Sequence, residues 1–185
     1  MPFYTRGGDD GTTGLLGKGR VPKSDSRVET LGTLDEASAT LGIARASVRD
    51  ERCGPLLLQV QRDLYLLMAE VASTPENAAE FQFDAHRVEW LERQIDALER
   101  TVRVPAEFII PGDTFGGAAL SVARAVIRRA ERRVIDLARR QQILNPALQQ
   151  YLNRLSSLLF VLELAENQAA GQNTTKARKP DQGRT

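Results

Sequence analysis

"GGAALSVARAVIRRAERRVIDLARR", residues 116–140, decides the fold. Leu120, Ala123, Ile127, Ala130, Val134 and Leu137 recur at three- and four-residue intervals, the spacing that lines up one apolar face of an α-helix. Arg124, Arg128 and Glu131 repeat with the same period on a second face, and Arg129, Arg132 and Arg133 fill its flanks. A charged helix face is usually just a solvated one. Here arginine is chosen over lysine throughout, and the planar guanidinium suits bidentate contact with phosphate or carboxylate.

Four further helices surround this one in the chain. Leu31, Leu34, Ala37, Leu41 and Ala44 predict a helix over 26–49, with Asp35 and Glu36 placed to partner one of the arginines. Pro55 opens a second, 56–73, carrying Val60, Leu64, Leu67 and Val71, and Thr74-Pro75 closes it. Asp84 is the expected N-cap of a third, reaching Arg100 through Val88, Leu91, Ile95 and Leu98. The segment 104–111, bracketed by prolines, reads as extended, and the fourth helix is expected over 114–142. Asn145-Pro146 starts the fifth, 145–170, whose stripe is Leu148, Leu152, Leu155, Leu159 and Leu162. No strand-like alternation is visible. Short connections between long amphipathic helices predict an all-α, antiparallel five-helix bundle. It spans residues 1–170 as one domain, with 171–185 a polar, disordered tail.

Composition narrows the class. A length of 185 residues allows one domain with a sizeable core. The net charge of +1 offers no global field for nucleic acid or a membrane surface. Aromatics are only 5% and none interleaves with the arginines, so the stacking platforms of an RNA-binding module are missing. The lone Cys53 excludes an internal disulfide framework and fits a reducing compartment. The lone His86, expected on a surface or helix face, makes a His/Cys zinc site unexpected. No apolar h-region or membrane span is visible, so a cytoplasmic enzyme or binding protein is expected.

The segment "YTRGGDDGTTGLLGKGR", residues 4–20, is unlike the rest. No strand precedes it, so it is not a dinucleotide-binding turn, and Gly19 stands where a Walker A loop needs Ser or Thr. What remains are backbone N–H groups, hydroxyls and a lysine able to wrap an anion. Composition alone favours a disordered N-terminal tail. Two more residues draw notice: Asn153, which is either surface or part of a site shared with the fourth helix, and Phe108, which by default is core.

Four segments in this order carry a resemblance: residues 4–15 with the downstream "RVPKSDSRVETLGTLDE", then "FIIPGD" (108–113), "ARAVIRRAERRV" (123–134) and "NPALQQYLNRLSSLLF" (145–160). Over 4–167 the chain resembles the PduO-type ATP:cob(I)alamin adenosyltransferases. The resemblance implies a homotrimer of five-helix bundles with active sites at subunit interfaces, and ATP, Mg²⁺ and cobalamin as ligands. Residues 1–25 become a phosphate-binding segment, with Thr5, Arg6, Gly7, Gly8, Asp9, Gly11, Thr12, Thr13 and Lys23 on ATP. Arg128, Glu131 and Asn153 complete the implied nucleotide site, with Glu131 at the ATP–Mg²⁺ or the adenosine end. Phe108 is implied as the apolar wedge that displaces the lower axial ligand of cobalt, and Asp35 and Arg124 as a pair bridging two subunits. Asp35, Phe108, Arg124 and Arg128 form the implied catalytic set. A flavin-type reductase and an adenosylcobalamin-dependent acceptor enzyme are implied partners; nucleic acid and membrane are not. Gly7, Asp113, Ala37-Ser38, Ser157 and Glu163 depart from the family pattern, and Gly7, Asp113 and Glu163 feed an alternative, a non-catalytic ATP- or cobalamin-binding relative.

Overall fold

A computed structural model describes residue 4 and residues 6–140 and 142–178. The elements are β1 (Thr12–Gly14), β2 (Arg20–Pro22), α1 (Ser26–Ser47), α2 (Cys53–Ala72), α3 (His86–Glu99), α4 (Phe115–Arg139) and α5 (Pro146–Ala169). Local chemistry sets the helix starts. The Asp25 carboxylate accepts from the N–H of Arg27 at 2.8 Å, the Thr114 hydroxyl from Gly117 at 2.9 Å, and the Asn145 side chain from Ala147 at 3.0 Å. Asp84, the expected cap of α3, lies one residue early: Ala85 takes the N-cap position without a side-chain bond, and Asp84 accepts from the His86 N–H at 2.9 Å.

α4 is the central element, packed between α1 and α5; α2 lies on α1 and α3 on α5. Its stripe is fully buried, with Leu120, Ile127 and Leu137 meeting a core that includes Leu34, Leu41, Leu148 and Leu152. Each such side chain contributes about 1.5–3 kcal/mol on leaving water. A buried polar knot joins the opposite side. The Asp63 carboxylate on α2 accepts from Tyr151 of α5 at 2.9 Å, from Gln59 at 2.9 Å, and from Arg87 of α3. The Tyr151 ring meets Phe83 edge-on at 5.1 Å.

Both ends of the chain correct the sequence expectations. β1 and β2 pair antiparallel, Thr13 opposite Val21, in strands of three residues that are too short to show alternation. In the loop between the two strands, Leu16 donates to Ala72 at 2.8 Å and accepts from Thr74 at 2.9 Å, which pins the N-terminal segment to the end of α2. Gly17, at φ +140°, permits that approach; a Cβ there would collide with the Thr74 hydroxyl. At the other end, in place of the expected polar disordered tail, 171–178 hydrogen-bonds back to the connection before α4. Ile110 donates to Thr175 and Ala177 to Phe108, both at 2.8 Å, and Asp113 accepts from the Thr175 N–H at 2.9 Å and hydroxyl at 2.6 Å. Backbone pairing and one carboxylate outweigh the polar composition. Residues 179–185 lie outside the described residues.

Candidate functional site

The arginines of α4 divide into two groups. Arg129 pairs with Glu36, and Arg133 lies 3.3 Å from Glu29, so these two tie α4 to α1. Arg128 is exposed and makes no ion pair among the described residues. Beside it Glu131 accepts a 3.0 Å hydrogen bond from the Asn153 amide of α5, whose oxygen accepts in turn from Arg154 at 2.7 Å. Asn153 is exposed, and its amide reaches across to Glu131 of α4.

Arg124 sits one turn before Arg128, about 6 Å back along the axis. Its guanidinium carbon stands 5.9 Å over the Phe160 ring, and its buried Nε has no hydrogen-bond partner. Together they wall a cleft of about 620 Å³, also lined by Pro105, Phe108, Ile109 and Ala177. The default reading of Phe108 as core is wrong: it is 90% exposed. The extended connection carries it clear of the bundle, and Ala177 fastens its carbonyl. Asp35 is exposed on α1, and among the described residues no ion pair joins it to Arg124.

The Gly/Thr segment folds onto itself through two residues that the sequence reading passed over. Arg20 donates to the Gly7 carbonyl and to Thr12 at both its hydroxyl (2.7 Å) and carbonyl (3.0 Å). Asp10 accepts from the Thr12 N–H at 2.9 Å and hydroxyl at 2.8 Å, which holds its carboxyl below the usual carboxylate range. Lys23 donates its N–H to Gly11 at 2.9 Å, and its ammonium lies over Gly8. Arg6 and Gly11 turn the chain at φ +58° and +80°. The N–H groups of Asp9, Gly11 and Thr12 are thus engaged internally, and those of 7–13 do not all face outward. The cues were local: an Asp two residues before Thr12, and an arginine eight residues after it. Thr5 lies outside the described residues.

The departures acquire roles. Asp113 latches Thr175, Ala37 is core, Ser157 is exposed, and the Ser38 carbonyl accepts from Gln61 at 2.9 Å. Glu163 is buried at 1% exposure. Burial pushes its carboxyl up to about 7, with the nearby charge of Arg124 and the Ser121 hydroxyl only partly offsetting it. His86 is on the surface beside Glu89, 3.2 Å away. No group of three or more His, Cys, Asp or Glu side chains able to hold a metal ion occurs among the described residues.

Residues 3–166 match the family described as cobalamin adenosyltransferase. The corrinoid adenosyltransferase PduO of Salmonella typhimurium is 38% identical over 174 residues, covering 93% of this chain and 52% of that one. The chain thus spans about half the length of that relative. A corrinoid adenosyltransferase of Citrobacter freundii is 38% identical over 166 residues, covering 89% and 94%. Among solved structures, a phenylalanine-to-alanine variant of a PduO-type ATP:corrinoid adenosyltransferase from Lactobacillus reuteri, complexed with cobalamin and ATP, aligns with a TM-score of 0.89. Its sequence is 30% identical, covering 96% of this chain and all of that one.

Proposed function

This chain belongs to the cobalamin adenosyltransferase family, and from that premise we propose that it transfers the 5′-deoxyadenosyl group of ATP to the cobalt of reduced cobalamin. The products are adenosylcobalamin and triphosphate. The observation that carries the proposal is the arrangement on α4: an unpaired, exposed Arg128 beside the Glu131–Asn153 bond, one turn from the arginine that walls an apolar cleft.

Each part has a task. As C5′ passes to cobalt, negative charge gathers on the leaving triphosphate, and cations aimed there lower the barrier. Arg128 offers a fork for two phosphate oxygens, and Lys23 a second positive charge. Asn153, its amide set by Glu131, would hold the nucleotide through hydrogen bonds. Cobalamin lies with its lower face on Phe108, whose exposed ring fills the space of an axial ligand and makes reduction to cob(I)alamin feasible. The only histidine, His86, is on α3 and engaged with Glu89, so no imidazole competes for cobalt from the cleft. Mg²⁺, when bound, neutralises triphosphate charge. Glu131 is the acid that would hold the ion through the nucleotide, since no cluster of three or more ligating side chains occurs among the described residues.

Assembly as a homotrimer with interfacial sites belongs to the same proposal. Phe115 and Val122 are 76% and 55% exposed, seven residues apart on one face of α4, and a neighbouring copy would cover them. Asp35 would then meet Arg124 across the interface. A cytoplasmic setting, a flavin-type reductase and an adenosylcobalamin-dependent acceptor enzyme complete the picture. Among the described residues no helix is long and apolar enough to cross a membrane.

The test is an anaerobic absorbance spectrum of the protein with cob(I)alamin, Mg²⁺ and ATP. Conversion to adenosylcobalamin is expected. ATP binding without conversion would favour the non-catalytic relative instead.

A further inference from the structure

Glu163 is the one buried acid among the described residues with neither oxygen in a hydrogen bond of good geometry. The other buried acids are satisfied: Asp63 by Gln59, Arg87 and Tyr151, Glu70 by Phe83 and Asn145, Glu166 by the N–H groups of Arg49 and Asp50, and Asp50 by Arg52. A bare carboxylate inside apolar packing is strongly destabilising, so an unsatisfied one needs a reason. Across the α4–α5 contact stands a complementary orphan, the buried Nε of Arg124. The two are near enough for the arginine's charge to act on the acid, yet they form no ion pair within 4.0 Å.

We propose that Glu163 is a positioning residue for Arg124. Ionised, it draws the Nε edge of the guanidinium inward and keeps it flat on Phe160, as the wall of the Phe108 cleft. Protonated, it frees the guanidinium to turn outward, toward the cleft mouth and a neighbouring copy. The groups acting on Glu163 from the elements around it are few. α4 supplies Arg124 and Ser121, the connection before α4 supplies Asp113, and neither α2 nor α3 adds a charge that shifts it. Burial and Asp113 raise its carboxyl to about 7, so the change of state falls at neutral pH. The effect on turnover rests on the proposed function; the ionic coupling itself does not.

The experiment uses ¹⁵N-labelled full-length protein and follows the arginine Nε–Hε resonances from about pH 5.5 to about 8.5. The Arg124 signal is identified by its disappearance in Arg124→Lys. It should titrate with a midpoint near the Glu163 value in the wild type, and stay flat in Glu163→Gln. Glu163→Asp, which keeps the charge, should restore a titration. An Arg124 signal that does not move in the wild type, or moves identically in Glu163→Gln, overturns the proposal. In parallel, kcat/KM for cob(I)alamin should change about threefold or more across that midpoint in wild type and be level in Glu163→Gln, with the Kd for ATP unaltered. A level wild-type profile alongside a titrating resonance would overturn the role in turnover. Absence of all turnover would count against the proposed function, while the resonance would still decide the coupling.

Discussion

Two buried acids, Asp63 on α2 and Glu163 on α5, have opposite fates. Asp63 is held by three donors from α2, α3 and α5, whereas Glu163 faces a partnerless arginine edge. The first arrangement is complete within one chain. Each member orients the others, and the knot fixes how three helices meet. The second is incomplete, and it lies beside the cleft with the exposed phenylalanine. Satisfied polar groups specify this fold; unsatisfied ones gather where ligands and a second copy are proposed to bind.

The comparison can be broken most severely at Asp63. Asp63→Ala leaves the Tyr151 hydroxyl and the Arg87 charge stranded, and should cost about 3–5 kcal/mol, read as a lowered urea midpoint. Activity per folded molecule should be unchanged. A mild loss would mean that water replaces the carboxylate and that the knot is not what sets the packing.

Next in size is Arg128→Lys, which keeps the charge but removes the fork. We expect about a 10²-fold fall in kcat with helicity intact by circular dichroism. The neighbouring Arg129→Ala, which loses only the exposed pair with Glu36, should stay within about 1 kcal/mol in stability and close to wild type in rate. Equal effects of the two changes would dissolve the division between structural and functional arginines.

Glu163→Gln sharpens the contrast through pH. The folded state raises this carboxyl from an ordinary 4.5 to about 7, so between those values the native chain holds a proton that the unfolded chain has released. Wild-type stability therefore falls as pH rises through that window and stays reduced above it. Removing the charge should stabilise the protein by on the order of 2 kcal/mol at pH 8 and by little near pH 4.5, checked by paired denaturation curves. A gain of the same size at both pH values would show that packing, not charge, was relieved.

The smallest expected change in stability is for Phe108→Ala. A buried phenylalanine would cost about 3–5 kcal/mol. At 90% exposure the loss should be within about 0.5 kcal/mol, with ATP affinity kept and adenosylation from cob(II)alamin crippled. If melting and all activities fell together, Phe108 would be structural after all.

Much of this was legible in the residues. The α4 stripe, the cap at Asn145, and the separation of Arg128 from the apolar face all follow from periodicity and local hydrogen bonding. What escaped was non-local. A three-residue strand has no period to detect, and the return of Thr175 and Ala177 to Ile110 and Phe108 runs mainly through backbone groups that every sequence possesses. Phe108 read as core because aromatic residues usually are, and only the path of the extended connection lifts it out. Glu163 sits within "FVLELAEN", a stretch as apolar as any core helix, and nothing in it announces an arginine on another helix.

Leu16, hydrogen-bonded at both its N–H and its carbonyl to the end of α2, has an entropic meaning beyond anchoring. With the β1–β2 pairing and the bond from the Lys23 N–H to Gly11, it makes the front of the chain part of the packed body. The freedom such a segment would lose on closing around a ligand is then already given up in the folded state. For the proposed reaction, a grip on triphosphate would rest on a preorganised cradle and not on a loop that must first be captured.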